Sequence, residues 1–548
     1  MEEKIPRGVP YMQGNFTLAY NQSMSKHNWQ DEMILVSQSK RRGYDNRVKS
    51  KHSLDVRIRM RALWGVYVLV LALIMAKILY LQVVVRGQYQ LSSRSNHIEM
   101  QRESAERGVV YDRQGVALTL NHEAGGEVER EYPLSAAGAP VLGYLSEVKS
   151  EEVGCSEGLC YSPGMEVGRS GIEKTMEIYL RGRDGGRMVE VNSAGEAVRE
   201  LGRNLPESGS DVQLALDSRL QKIMYNALEG RAGSAVALDM QGKVLGLVSS
   251  PSYDPANLSA YLDDTEKLYF LNRAISGTYP PGSVFKLVTA LAGLSEGKIN
   301  SETKYEDTGE IRVGSYRYGN WYFDQYGRTE GTIGLVQALS RSNDIYFYKV
   351  GEEVTVEGLV KWARKFGLGE ATGIELPGEG AGLVPDRLWK ERMSGEKWFL
   401  GNTYHLAIGQ GDLLVTPLQV ARMTLGVVSG RLCQVSLLKD TQPSCRDLGL
   451  KTDDIALVRE GMKGACSTGG TAYPFFTYSP WVLCKTGTAQ HSGQLSDSDQ
   501  AHAWITLAYP GENPQMILSV MLEAAGEGSA ETGPVAKNIL DQWRELGK

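Results

Sequence analysis

The chain has 548 residues, more than one ordinary domain holds, so its length predicts three or four structural units. With 42% hydrophobic and 23% charged residues it has the composition of a globular protein, which excludes a wholly disordered or collagen-like chain. The net charge of −6 is unevenly distributed: residues 1–61 carry twelve Lys/Arg and six Asp/Glu, a net +6, so the remainder carries −12.

An apolar segment, Ala62–Val85, follows this basic region and is interrupted by Lys77. At about 1.5 Å per helical residue, its 24 residues are long enough to cross a hydrocarbon layer of about 30 Å. A cleaved signal peptide is shorter and lies closer to the first methionine, so we interpret the segment as an uncleaved transmembrane anchor. Three arginines between residues 57 and 61 precede it, which predicts a cytoplasmic N-terminus, a disordered cytoplasmic tail over 1–61 and an extracytoplasmic remainder.

Beyond the anchor the pattern predicts two folded regions. Residues 86–205 begin with a helix-like polar stretch, 87–96, and are otherwise rich in glycine and short apolar runs, which is typical of a small mixed domain of hairpins and loops. Residues 206–548 predict one α/β domain, because strands, then helices, then strands and a closing helix indicate a sheet formed from both ends of the segment. Its predicted elements are strand Val212–Leu216, helix Ser218–Leu228, a hairpin over 233–249, helices from 283 to about 430, strands Trp481–Thr488, Ala503–Tyr509 and Met516–Leu522, and a helix from Pro534.

All six cysteines follow the anchor, at positions 155, 160, 433, 445, 466 and 484. An even number in an extracytoplasmic region permits disulfides, and Cys155 with Cys160 is the strongest candidate pair. Cys466 and Cys484 are equally compatible with small buried hydrophobic side chains, so the complete pairing stays open. The cysteine spacing fits no zinc site, and the sequence shows no phosphate loop or nucleic-acid motif.

The segment Pro280–Lys286 carries the first motif that points to chemistry. Proline and glycine precede Ser283, and Val284–Leu294 has the pattern of an apolar helix. Residues three apart share a helix face, so the Lys286 amine can reach the Ser283 hydroxyl and accept its proton, provided that burial or the helix N-terminus lowers the pKa of the lysine. In isolation, the same residues also fit an N-cap serine followed by a solvated lysine.

Two later motifs decide between these alternatives. Ser342–Asp344 and Lys485–Thr488 follow in the order found in penicillin-recognising serine enzymes. From the anchor to the C-terminus, the chain resembles the class B penicillin-binding proteins, the monofunctional transpeptidases of bacterial cell-wall synthesis. Five shorter features add to the resemblance: Arg107–Gly115, Gly168–Gly182, Asn272–Ala274, Gly409–Gly411 and Thr416–Gln419. It implies a penicillin-binding α/β domain, a sheet flanked by helices, on an elongated mixed pedestal and a single transmembrane helix.

The resemblance also implies which residues perform the acyl transfer. Ser283 would attack the carbonyl between two D-alanines, and Lys286 would take its proton. The backbone N–H groups of Ser283 and Thr488 would bind the negative oxygen that develops. Ser342 would be a further catalytic hydroxyl.

The third motif would bind the substrate's free carboxylate. By resemblance, Lys485 supplies positive charge and Thr486 and Thr488 supply hydroxyls for the leaving D-alanine. Gly487 would let the strand backbone approach the substrate closely.

The second motif departs from the usual Ser-x-Asn pattern of the family. The register that keeps Ile345–Tyr348 in a helix gives Ser342-Asn343-Asp344, with aspartate in the third place. An aspartate cannot donate from a side-chain amide, and a carboxylate beside Lys286 favours the charged ammonium, which opposes the base role. Another register would place Asn343 in the site, so the choice between Asn343 and Asp344 stays open.

The leading prediction is a membrane-anchored peptidoglycan D,D-transpeptidase that cross-links stem peptides, donor and acceptor, and that β-lactams inhibit covalently. The alternatives are a D,D-carboxypeptidase or β-lactamase-like hydrolase and a membrane β-lactam sensor. The chain has no glycosyltransferase domain, so the resemblance implies a partner glycan polymerase of the SEDS type, contacted through the anchor and pedestal. Lys77 either snorkels or faces a polar group of that partner. No metal, cofactor or nucleic acid is implied, and His491 and His502 are predicted to be structural.

Overall fold

The computed structural model of the chain describes residues 53–86, 98–124, 127–156, 159–191, 197–490 and 500–547. The chain divides into two units, Met1–Ser93 and Arg94–Lys548. Of the predicted tail, residues 1–52 lie outside the described residues, as do the helix predicted over 87–96 and His491.

The described part of the first unit is essentially one helix, Ser53–Val83. Its stretch Ile58–Val83 has 26 residues and a mean hydropathy of 2.3, enough in length and composition to cross a membrane. A helix of membrane-spanning length is thus confirmed, and it fits a single-pass anchor. It begins at Ser53 rather than Ala62, because the arginines that precede the apolar run are themselves good helix formers.

Short strands and helices make up the N-terminal part of the second unit, as the glycine-rich pattern predicts. Its largest sheet has three antiparallel strands in the order Ile98–Glu103, Gly185–Val191, Ala197–Asn204. The other strands are Val110–Tyr111, Leu120–Ala124, Glu127–Glu131, Leu145–Glu147, Gly154–Ser156, Leu159–Tyr161 and Glu166–Gly168, and the α-helices are Ala139–Leu142, Gly171–Thr175 and Glu177–Leu180. A disulfide joins Cys155 to Cys160 across a hairpin, which confirms that pair.

A buried carboxylate, Asp112, joins this part of the unit to the part that follows. It is 1% exposed. It accepts hydrogen bonds from the N–H groups of Gln114 and Val116 at 2.8 and 2.9 Å, and from the N–H and hydroxyl of Ser218 at 3.2 and 2.7 Å. These four donors compensate the burial of its charge. Ser218 begins the helix Ser218–Ala227, so the carboxylate fixes that helix against the preceding strands.

A five-stranded antiparallel sheet forms the centre of the second unit. Its strands lie in the order Val244–Ser250, Gly233–Asp239, Met516–Leu522, His502–Tyr509, Leu483–Ala489, so both ends of the segment contribute, as predicted. The strands are buried along almost their whole length. Helix Gly528–Leu546 closes the chain. Its predicted start at Pro534 is wrong, since this proline lies inside the helix rather than at its first position.

A central helix, Lys286–Ser295, lies among the helices that pack on the sheet and is buried on nearly all sides. The helices around it include Leu335–Arg341, Asp344–Lys365, Leu400–Ala407, Pro417–Ser429 and Thr452–Ala465. Helix Arg387–Ser394 lies at the surface and has no buried residue. A short hairpin of Arg431–Cys433 and Cys445–Asp447 carries the disulfide Cys433–Cys445.

The predicted dominance of helices from 283 to about 430 does not hold for residues 304–334, which we call the insert. The insert contains two antiparallel strand pairs and one helix of six residues. The pairs are Lys304–Asp307 with Gly331–Gly334 and Glu310–Val313 with Tyr316–Gly319, and the helix is Trp321–Tyr326. These strands have four residues each, too few to show a clear period of two in the sequence.

Candidate active site

Ser283 lies on a tight turn before the central helix. The first turn, Gly282–Phe285, is a 3₁₀-helix and the α-helix begins at Lys286, so the predicted helix start is confirmed with a tighter first turn. Gly282 has φ of +57°, and a Cβ there would lie 2.8 Å from the carbonyl oxygen of Thr488. Glycine is therefore required both by its conformation and by the closeness of the neighbouring strand.

The strand that carries the third motif packs directly on this turn. A Cβ on Gly487 would lie 3.0 Å from the carbonyl oxygen of Pro281 and 3.1 Å from Cβ of Trp504. Trp504 also donates its indole N–H to the carbonyl of Pro280 at 3.1 Å. Ser283 and the strand Leu483–Ala489 are thus held side by side through backbone contacts that a side chain on Gly487 would disturb.

The Lys286 amine points from the central helix towards the second motif. It is fully buried and donates to the carbonyl oxygen of Ser342 at 2.8 Å, to the Ser342 hydroxyl at 3.3 Å and to Asp344 Oδ1 at 2.6 Å. Ser283, three residues earlier, is only partly buried. The lysine is therefore the more deeply buried of the two, and the serine is the one that solvent can reach.

Two lysines converge on the Ser342 hydroxyl. Lys485 Nζ, also fully buried, donates to Ser342 Oγ at 2.8 Å, and Lys286 Nζ lies 3.3 Å from the same oxygen. Ser342 adopts a left-handed conformation with φ of +54°, at the end of the helix Leu335–Arg341. This conformation turns the chain sharply between two helices and directs the hydroxyl at both amines.

Burial sets the proton affinity of both amines. It lowers the pKa of Lys286 from its usual value, against the opposing effect of the Asp344 carboxylate. Burial, and next the nearby Lys286 ammonium, lower the pKa of Lys485 well below its usual value, again against Asp344. Burial therefore favours the neutral form of both amines, which is the form that a general base requires.

The structure places Asp344, and not Asn343, against Lys286. Asp344 accepts the ammonium hydrogen bond on Oδ1 and the N–H of Trp321 on Oδ2 at 3.3 Å. Asn343 points the opposite way: its side chain caps the helix Asp344–Lys365 through the N–H of Tyr346 at 2.9 Å. Of the two registers that the sequence left open, the one with aspartate in the third place is the one that is formed.

The predicted carboxylate-binding hydroxyls already have partners within the protein. The Thr486 hydroxyl pairs with that of Thr471 at 2.8 Å and is buried. The exposed Thr488 accepts the N–H of Gly528 on its hydroxyl oxygen at 3.2 Å, and its carbonyl accepts the side-chain amide of Gln410 at 3.1 Å. Each threonine hydroxyl retains further hydrogen-bonding capacity. Their role towards a substrate remains a prediction.

A disulfide lies directly beside the third motif. Cys484, which precedes Lys485 on the strand, is bonded to Cys466 at the end of the helix Thr452–Ala465. Both cysteines are also buried in an apolar cluster, so they are at once core side chains and a covalent tie. His502, predicted to be structural, is buried and accepts the N–H of Ala524 on Nδ1 at 3.1 Å.

Sequence reasoning missed two buried residues of the insert that reach the second motif, Asp307 and Asn320. Asp307 accepts the side-chain amides of Asn320 and Asn343 at 3.0 and 2.9 Å. The only local signals were an Asp-Thr-Gly turn and an asparagine at a helix start, both of which are common. Among the described residues, no cluster of three His, Cys, Asp or Glu side chains could hold a metal ion.

Comparison with known families agrees with this site. Residues 233–541 match the family described as Penicillin binding protein transpeptidase domain, and residues 123–214 match the Penicillin-binding Protein dimerisation domain. The first match covers more than half of the chain and includes all three motifs. The chain therefore belongs to the penicillin-binding protein transpeptidase family.

Individual relatives specify the class. The chain is 28% identical to the peptidoglycan D,D-transpeptidase MrdA of Escherichia coli over 90% of this chain and 94% of the relative. Its sequence is 32% identical to that of Pseudomonas aeruginosa PBP2 in a crystal structure of the complex with WCK 5153. The two structures superpose with a TM-score of 0.71, and the match covers 81% of this chain and 96% of that chain. A structure titled for the coordination of polymerization and crosslinking by a peptidoglycan synthase complex matches with 30% identity and a TM-score of 0.72, over 88% and 98%. The predicted class, a class B penicillin-binding protein, and the predicted acyl-transferring peptidoglycan transpeptidase activity are confirmed.

Proposed function

We propose that Ser283 is the nucleophile of this transpeptidase and that Lys286 is its general base. The observation that carries the proposal is the convergence of two buried lysines on Ser342 Oγ, at 3.3 and 2.8 Å, directly behind the turn that presents Ser283. Burial lowers the pKa of Lys286, which favours the neutral amine that a base requires.

In the acylation step, Ser283 Oγ attacks the carbonyl carbon between the two terminal D-alanines of a donor stem peptide. Its proton passes to Lys286, and the backbone N–H groups of Ser283 and Thr488 stabilise the negative oxygen. The C–N bond then breaks, and the amine of the departing D-alanine receives a proton, for which the Ser342 hydroxyl offers a path between the two lysines. The amine of an acceptor stem peptide then attacks the acyl carbon, the C–O bond to Ser283 breaks, and the proton that the amine loses returns to Ser283 Oγ through Lys286.

Lys485, with Thr486, Gly487 and Thr488, would bind the free carboxylate of the terminal D-alanine. Because burial and the neighbouring ammonium lower the pKa of Lys485, its charge is poorly compensated in the free enzyme. An arriving carboxylate supplies the missing counter-charge and raises that pKa, so substrate binding and lysine protonation favour each other. A β-lactam carries an equivalent carboxylate and would acylate Ser283 by the same route.

Transfer to an amine is favoured over the hydrolase and sensor alternatives, because the curated relatives that cover most of the chain are named transpeptidases. The predicted division into a pedestal over 86–205 and a transpeptidase domain over 206–548 remains a prediction. The family matches, which end at 214 and begin at 233, support a junction in the same region.

The orientation and the partner are likewise our proposals. The basic residues that precede the apolar stretch of the helix support a cytoplasmic N-terminus and an extracytoplasmic catalytic domain in the plasma membrane. The similar structure titled for coordinated polymerization and crosslinking supports a complex with a glycan polymerase of the SEDS type. Lys77, on the apolar stretch, is a candidate contact for that partner.

A product assay tests the activity directly. The purified full-length chain is incubated with uncrosslinked peptidoglycan strands, and the muropeptides are separated after glycan digestion. The proposal predicts cross-linked dimers that disappear in the variant Ser283→Ala. Shortened monomeric peptides without dimers would show a carboxypeptidase instead.

A further inference from the structure

The insert, residues 304–334, contacts the second motif through Asp307, Asn320 and Trp321. We propose that Asp307 of the insert is a positioning residue for the transpeptidase reaction, which holds the second motif so that Asp344 faces Lys286. The inference rests on the proposed function of that motif. It assigns a role to a residue that none of the three motifs contains.

Asp307 is the centre of a buried polar network. It is 3% exposed, and its Oδ2 accepts hydrogen bonds from the amides of Asn343 and Asn320 at 2.9 and 3.0 Å and from the N–H of Glu330 at 3.0 Å. Its Oδ1 accepts the N–H of Gly309 at 2.9 Å. Within the described ranges, no lysine or arginine forms an ion pair with it, so these four N–H donors compensate the burial of its charge.

The first branch of the network fixes Asn343. The carbonyl oxygen of this side chain accepts the N–H of Tyr346 and caps the helix Asp344–Lys365. The amide group of Asn343 is therefore left to donate, and Asp307 is the acceptor that it meets. Contacts on both sides determine the orientation of the Asn343 side chain, and the cap fixes the start of the helix at Asp344.

The second branch fixes Asp344 itself. Asn320, which is also buried, donates to Asp307 and accepts the backbone N–H of Asp344 at 3.1 Å. The following residue, Trp321, donates its backbone N–H to Asp344 Oδ2 at 3.3 Å. Both the backbone and one carboxylate oxygen of Asp344 are held by the start of the insert helix, so that the other oxygen meets Lys286 at 2.6 Å.

Replacing Asp307 by alanine would break both branches, because it removes both acceptor oxygens. Asn320 and Asn343 would lose their common acceptor, and Asp344 would no longer be held against Lys286. Asparagine is a weaker test, since three of the four donors meet Oδ2 and an amide oxygen placed there would keep them.

The chemical consequence is specific, because few charged groups face this pair. The Lys286 ammonium faces Asp344 and Lys485, and Phe347 presents its ring at 5.6 Å. Asp344 faces Lys286 and acts electrostatically on Tyr348, whose pKa is raised first by burial and next by this carboxylate. If Asp344 is displaced, it raises the pKa of Lys286 less than it does in the wild type. Acylation would then extend to lower pH, while the maximum acylation rate falls.

The test measures acylation of the full-length chain, purified in detergent, by a fluorescent penicillin between about pH 5 and pH 10. For Asp307→Ala we expect a maximum rate about tenfold below wild type and an acid-side midpoint lower by at least about half a pH unit. The matched control is Asp112→Ala, which also removes a buried carboxylate with four donors but lies away from the motifs. It should lose stability and keep the wild-type pH profile in its folded fraction.

A wild-type pH profile in folded Asp307→Ala, whether or not the rate falls, would overturn the inference, because a merely structural role moves no midpoint. If that variant does not fold, Asn343→Ser decides the question. Serine retains the helix cap and removes the amide that reaches Asp307, and the same two changes are expected. Failure of the proposed function itself is distinguishable: wild type would then not be labelled, or labelling would survive in Ser283→Ala.

Discussion

Replacing Asp344 by asparagine removes the carboxylate that opposes the base role of Lys286 and restores the side chain that the family usually has in this place. In the present protein, Asp344 Oδ1 lies 2.6 Å from Lys286 Nζ and raises the pKa of the lysine, against the larger lowering by burial. An opposite charge at this distance changes a pKa by about one to three pH units. The Trp321 N–H should keep the amide oxygen of the new asparagine, so that its NH₂ group faces Lys286. Only an unprotonated amine can accept from that group, which lowers the pKa further.

The sign of the pH effect follows from the loss of this charge. Below its pKa, the neutral fraction of Lys286 falls about tenfold for each pH unit, and acylation falls with it. In Asp344→Asn the acid-side midpoint of the acylation rate should therefore move down by about one to three pH units. At a fixed acidic pH the variant should be relatively faster, by about tenfold for each pH unit that the midpoint moves, with a maximum rate at or below wild type.

Acylation by a fluorescent penicillin, followed over time at each pH, measures both quantities. The matched control is Asp324→Asn on the insert helix Trp321–Tyr326, which removes an exposed carboxylate paired with Arg317 rather than with Lys286. It should leave the midpoint in place. A midpoint that is unchanged or higher in Asp344→Asn would refute the assignment of Lys286 as the base.

Three further changes test other parts of the account. Lys485→Met should slow acylation about ten- to a hundredfold, yet raise the thermal unfolding midpoint near neutral pH. The folded state lowers the pKa of Lys485, so the free energy of unfolding of the wild type falls as the pH drops below the usual lysine pKa. The fall is about 1.4 kcal/mol for each pH unit until the lowered pKa is reached. A Lys485→Met variant that is less stable than wild type near neutral pH would contradict this. The double variant Cys466→Ala, Cys484→Ala removes a disulfide that closes a loop of 18 residues, and it should lower the free energy of unfolding by about 3 kcal/mol. An unchanged thermal unfolding midpoint would argue against the bond. Gly282→Ala should abolish acylation, because its Cβ would approach the third-motif strand. The control Gly327→Ala changes a glycine that is also left-handed but has open space around it, so this variant should keep acylation. Equal acylation rates in the two variants would exclude the packing argument.

The central sheet could be predicted because its strands are continuous apolar runs bounded by turns. Met516–Leu522 has the bounds predicted from the sequence. The insert could not be predicted, since strands such as Lys304–Asp307 are short and half-exposed and carry no period strong enough to compete with the surrounding helical pattern. Pro534 misled for a different reason: a proline usually marks a first helical turn, but packing of the helix Gly528–Leu546 on the sheet outweighs the one hydrogen bond that it loses.

The residues of the site also fall into those that the sequence predicts and those that it does not. Ser283 and Lys286 lie three residues apart, so local geometry alone brings them to one turn, and their chemistry is visible in the sequence. Asp307 is separated from Asn343 by 36 residues in the chain, and their contact exists only once the insert has folded. The choice between Asn343 and Asp344 also depends on that tertiary contact, which is why the sequence left both registers open.

The central claim is that Ser283 forms the covalent acyl intermediate. The most direct measurement is to react the full-length chain with penicillin, digest it, and locate the added mass on a peptide by mass spectrometry. We predict one added penicillin per chain, on Ser283, and no adduct on the Ser283→Ala variant, whose thermal stability should be unchanged. A stoichiometric adduct on any other residue, or one that survives in Ser283→Ala, would contradict it.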